Sequence, residues 1–80
     1  MAITFGIRVV NEAGEGVRGA KVFVSYQLAH QEKYSGADGR AHFERPATMH
    51  GGVRADIFVN GEKVSKQEWI QDGDTFSFTV

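Results

Sequence analysis

The chain has 80 residues, of which 41% are hydrophobic, 11% aromatic and 24% charged, the profile of one ordinary globular domain spanning 1–80. It contains no cysteine, which excludes disulfide staples and thiolate metal centres. Nine basic against ten acidic residues leave a formal charge of −1, so no overall field draws in nucleic acid or a membrane surface, and neither is expected as a partner.

The first segment, Met1 to Val10, places Ile3, Phe5, Ile7 and Val9 on one face and Thr4, Gly6 and Arg8 on the other. A period of two is the mark of a half-buried strand, and these interruptions are unlike the unbroken apolar core of a secretory signal. No stretch approaches the ~18 apolar residues of a membrane helix. A complete chain of this kind is expected in the cytoplasm; a piece of a longer protein is equally compatible with export. Asn11 to Gly19 reads as a glycine-rich loop, with Val17 turned inward and Gly19 swinging the chain into the next run.

That run puts Ala20, Val22, Val24 and Tyr26 on one side, with Phe23 out of pattern on the other. Asp38-Gly39 is a turn leading into a short strand, Arg40 to Glu44, expected to pair back on Lys33-Tyr34-Ser35. Ala47 to Gly52 reads as a mobile loop, because it joins small residues to two adjacent glycines. Val53, Ala55, Ile57 and Val59 form the next alternation, and Asn60-Gly61 is the strongest short hairpin signal in the chain. Val64 to Gln71 offers the best place for a helical turn, with Ser65 as cap and Glu68 three residues on, although so short a helix needs tertiary support. Ile70 should point inward. Asp72-Gly73-Asp74 turns into a closing strand in which Phe76, Phe78 and Val80 alternate with Thr75, Ser77 and Thr79. The expected fold is an all-β antiparallel sandwich of about seven short strands.

The run from Val9 through Asn11-Glu12-Ala13-Gly14 to Gly19-Ala20-Lys21-Val22-Phe23-Val24 resembles the opening of carboxypeptidase-regulatory-like, or transthyretin-like, domains. Those begin with a strand, an Asp/Asn-x-x-Gly turn and Gly-Ala-x-Val-x-Val. Ala37-Asp38-Gly39-Arg40-Ala41-His42-Phe43 looks like their second motif, and Gly51 to Gly61 like the strand and Asn-Gly turn that follow. The likeness covers roughly residues 7–61 and implies a small immunoglobulin-like sandwich. Its motifs are those of turns and core, and the family often has proline where this chain has Gly16 or Arg18. The group includes 5-hydroxyisourate hydrolases, whose Tyr-Arg-Gly-Ser-type ending is absent here. Val59-Asn60-Gly61-Glu62 with Gly73-Asp74-Thr75 also occurs in β-grasp proteins, but that fold needs an amphipathic helix, which the polar stretch from Gln27 to Ser35 does not offer.

No catalytic signature stands out. His30, His42 and His50 are separated by twelve and eight positions on different elements, not the close pairs that zinc sites use. Asp72 and Asp74 lack the oxygen ladder of a calcium loop. Arg40, Arg45 and Arg54 would form a basic stripe if their strands were neighbours, yet Glu32, Glu44 and Asp56 are interspersed. The candidate binding residues are therefore Tyr26, Tyr34, Met49, His50 and Trp69, since an aromatic body with a polar tip suits a contact surface. The expected role is a non-catalytic structural or protein-interaction accessory module without cofactor or metal. A sandwich this small leaves open edges, so the partner is expected to be another protein, or a second copy, paired on Thr75 to Val80 or Ile3 to Val10. The alternative is a sandwich that holds a peptide or carbohydrate on its aromatics.

Overall fold

The computed structural model describes residues 2–46 and 48–80, and within them the chain forms seven strands and no helix. In chain order these are β1 (Ala2–Val10), β2 (Lys21–Tyr26), β3 (His30–Tyr34), β4 (Arg40–Pro46), β5 (Gly52–Val59), β6 (Glu62–Gln71) and β7 (Thr75–Thr79). They build two facing sheets, one ordered β4-β1-β7 and the other β3-β2-β5-β6. The alternating residues of β1, β2 and β5 meet between the sheets. Ile7, Val9, Val22, Val24, Ile57 and Ile70 are fully enclosed there, and Phe5 stacks on Phe43 with ring centroids 5.3 Å apart. Val80, which continues the alternation of Phe76 and Phe78, follows the last residue of β7 and is 49% exposed.

Every junction is antiparallel except one: β7 runs parallel to β1, with Gly6 level with Thr75 and Val10 with Thr79. The Asp72–Asp74 turn carries the chain across the end of the sandwich instead of back beside β6. It is anchored on β1 by the Gly73 N–H to the Thr4 carbonyl at 2.8 Å and the Gly6 N–H to the Asp74 carbonyl at 2.9 Å.

Two local expectations are corrected. Val64 to Gln71 lies inside β6 and is extended, since pairing with β5 supplies the tertiary support that an isolated turn of helix lacks. The Ser65–Glu68 contact does form, Ser65 Oγ donating to Glu68 Oε1 at 2.9 Å, but it spans a bulge. There Gln67 takes a φ of 54°, and its N–H is received by Asp56 Oδ1 at 2.8 Å. The strand after Asp38-Gly39 does not pair with Lys33-Tyr34-Ser35: β4 joins the opposite sheet against β1, while β3 pairs with β2. The Asn60-Gly61 turn is as expected, with φ values of 52° and 84°.

At one end of the sandwich two backbones touch. Gly16, from the β1–β2 loop, packs on the Asp38-Gly39 turn, and a Cβ on either glycine would strike main-chain atoms of the other segment. Val9 is held between them, its N–H on the Gly39 carbonyl and its carbonyl receiving the Val17 N–H, both at 2.8 Å. Gly39 also has φ +81°, whereas Gly14, with the same φ, has open space around it. Gly39→Ala should therefore cost about 3 kcal/mol in urea unfolding, from strain plus collision, against about 1 for Gly14→Ala. Equal costs would refute the contact.

Candidate functional site

The four edge strands differ in how their unpaired backbone is treated. β4 faces β3 across the flank of the sandwich, and two polar side chains that point inward from β3 bridge the gap. Lys33 Nζ donates to the His42 carbonyl at 2.6 Å, and Gln31 Nε2 to the Glu44 carbonyl at 2.9 Å. β3 carries Glu32 and Lys33, and β6 carries Glu62, Lys63, Lys66 and Glu68 along with its bulge. β7, Thr-Phe-Ser-Phe-Thr, has no charge, proline or bulge, and β1 is its single neighbour. Gly6 donates to Asp74 on one side of the ladder and Val80 to Val10 on the other, so even-numbered backbone groups face β1. The N–H and carbonyl groups of Thr75, Ser77 and Thr79 then face outward. Phe76 and Phe78 pack half-buried against the core beneath them. Ile3 to Val10 has no such edge, because β1 lies between β4 and β7.

A cleft of about 760 Å³ opens where β2, β4, β5 and β6 end, and it collects Tyr26, His50 and Trp69 together with Arg45, Arg54 and Leu28. Tyr26 is buried beneath Arg45, whose guanidinium carbon stands 4.4 Å from the ring centroid. Its hydroxyl donates to Gln31 Oε1 at 2.6 Å, the same amide that caps β4. Burial pushes the phenol up to about 12, against the opposing pull of Arg45. Trp69 lies half-buried on the outer face of β6, its ring laid over Gly52, where a Cβ would stand 2.8 Å from Cζ2. Arg54 stacks on that ring at 5.3 Å and donates to the Gln67 carbonyl at 2.9 Å. Asp56, on the cleft wall, is held below the usual carboxylate range by the Gln67 N–H and by Lys63, 3.3 Å away. Among the described residues neither Arg45 nor Arg54 has a carboxylate partner.

His50 reaches the cleft from a turn closed by the Gly51 N–H on the Thr48 carbonyl at 3.0 Å, and Met49 of the same turn stands 92% exposed. Ala47, the first residue of the expected loop, falls outside the described residues. Tyr34 is 63% exposed but lies opposite Lys21, at the far end of the sheet from Trp69, so the two do not form one platform. The histidines are apart as well. His30 stacks on Phe23 at 5.1 Å on the outer face of one sheet, His42 lies beside Gly6 on the outer face of the other, and His50 is in the cleft. Among the described residues no group of three His, Asp or Glu side chains could hold a metal ion. Asp72 and Asp74 serve their turn, accepting from the N–H groups of Thr4 and Gln71 at 2.8 Å each. The three arginines do not make a stripe, since Arg40 is on the outer face of β4, bridged to Asp38 at 3.4 Å. The inward roles of Gln31, Lys33 and Arg45 escaped the sequence reading, because polar residues at inward positions break the alternation that finds a strand.

The raised Tyr26 pKa sets a window: its contribution to stability is fully present below pH 10.0 and is lost as pH rises toward about 12. An absorbance titration should show one late tyrosinate step that disappears in Tyr26→Phe, which also costs ~1 kcal/mol through the lost bond to Gln31. A late step that survives the substitution would exclude Tyr26 as its source. No family model matches the chain, and no curated protein matches it.

Proposed function

We propose that the protein is a non-catalytic interaction module, an immunoglobulin-like sandwich of the transthyretin-like kind, that binds protein by adding a strand to β7. The observation that carries this reading is the contrast among edges. Two side chains cover β4, charge and a bulge interrupt β6, charge marks β3, and β7 alone offers an uncharged ladder over two half-buried phenylalanines. Proteins usually guard such edges, and an unguarded one is a template for an extended partner. The sandwich-like turn motifs support the family reading physically, since Gly16 and Asp38-Gly39 interlock where the resemblance places its two loops.

Ser77→Pro tests it. The Ser77 N–H faces away from β1, so proline removes an edge donor without breaking the internal ladder. Used as paired baits in extracts of the source cells, the native chain should retain protein that the proline variant loses, with unchanged far-ultraviolet circular dichroism. Identical captures, or none by either bait, would remove the β7 reading.

A second reading is favoured by the meeting of Tyr26, His50 and Trp69 in one cleft with Arg45 and Arg54, which have no carboxylate partner among the described residues. This is a site for a peptide or a carbohydrate. Trp69 is the sole tryptophan, so its fluorescence reports directly on the cleft. Titration with an acidic peptide or a neutral oligosaccharide should give a saturable change that is weakened in Arg54→Gln. A flat response to both would dismiss the cleft.

A further inference from the structure

Thr75-Phe76-Ser77-Phe78-Thr79 reads the same in both directions about Ser77. We propose that the occupant of the β7 edge is a second copy of this chain, paired antiparallel about a two-fold axis through Ser77. This rests on the strand-addition reading and names the partner.

An interface between two identical copies related by a two-fold axis brings the same patch to both sides, so residue i meets j wherever j meets i. For two antiparallel strands crossing at Ser77, Phe76 of one copy falls opposite Phe78 of the other, and Thr75 opposite Thr79. A palindrome turns each of these into a match of like with like. Aromatic pairs and Thr–Thr pairs are among the favourable cross-strand neighbours. The backbone phase agrees. The outward N–H and carbonyl groups belong to Thr75, Ser77 and Thr79, the residues this register sets opposite one another, so each pair exchanges both of its bonds. A register shifted by one residue would set outward groups against residues whose own groups are already spent on β1.

The side-chain layers agree as well. Phe76 and Phe78 lie on the core side and are half-exposed in the single chain. Pairing brings each ring against its counterpart and extends the core across the junction. Thr75, Ser77 and Thr79 stay on the outer, wet face. The strand carries no charge, and a net charge of −1 per copy sets little repulsion against association.

Because the chain has no cysteine, the register can be read by cross-linking. The two Ser77 Cα atoms would stand ~5.5 Å apart, inside the usual disulfide range, whereas the two Thr79 Cα atoms would be roughly 13 Å apart along the strands. Ser77→Cys should therefore form a covalent dimer with oxidised glutathione, while Thr79→Cys, equally exposed on the same face, should stay monomeric. The native chain should sediment at twice the monomer mass at high micromolar concentration, and Ser77→Lys, which sets like charges opposite one another, should revert to the monomer.

Equal cross-linking at both positions, or a native monomer with no Ser77→Cys dimer, overturns self-pairing. In the latter case the paired-bait comparison separates the two ideas. Loss of captured protein by Ser77→Pro keeps strand addition with a different partner, and no loss removes both.

Discussion

The architecture depends on a contact between two stretches of backbone. Gly16 and Gly39 come together so closely that neither position has room for a side chain, and the end of β1 is clamped between them. The loop that leaves β1 and the turn that enters β4 thus become one structure, although more than twenty residues separate them in sequence. Ser35 secures the same end from within. It is the buried polar side chain of the described core, accepting from the Ala20 N–H at 2.9 Å and donating to the Val17 carbonyl at 2.5 Å. Since β1 lies in one sheet and β2 and β3 in the other, this knot sets how the two layers lie on each other.

The flank between β3 and β4 is closed by different chemistry. Apolar side chains at positions 31 and 33 would have sealed the sandwich by burial alone and left the β4 carbonyls bare. Gln31 and Lys33 seal it while occupying those carbonyls, and the Lys33 ammonium also lies 5.6 Å over the Phe43 ring. Gln31 further receives the Tyr26 hydroxyl, so the flank and the floor of the cleft share one amide. The cost is the rotamer freedom of two long side chains, and the return is an edge that no strand can join.

Much of the fold is written in the alternation of β1, β2 and β5, because each buries one face and shows the other to water. Asn60-Gly61 and Asp72-Gly73-Asp74 were legible for a related reason, since their residue types suit few conformations other than turns. β3 left no such trace, because its inward positions are polar and bond to backbone. The direction of β7 was hidden too: a period of two looks the same whether a strand runs up or down. Ser65 and Glu68 imitated a helix cap because their hydrogen bond forms equally well across a bulge. Of the five candidate binding residues, Tyr26, His50 and Trp69 line one cleft, a meeting that residue types alone did not announce, whereas Tyr34 lies at the far end and Met49 points outward. The arginines that complete the cleft come from facing sheets, a juxtaposition that residue spacing does not encode.

The place of β1 has a consequence for the order in which the molecule can be made. Synthesis delivers β1 ahead of the other six strands, yet one of its two neighbours is β7, with Gly6 lying beside a residue 69 positions later, Thr75. Until that stretch emerges, Ile3, Phe5, Ile7 and Val9 lack part of their cover, while β2, β3, β5 and β6 can already associate through nearer partners. Sheets closed by their most distant segment form slowly and remain adhesive in the meantime. The apolar face of β1 therefore waits, with only part of its cover, for the strand farthest from it in this domain.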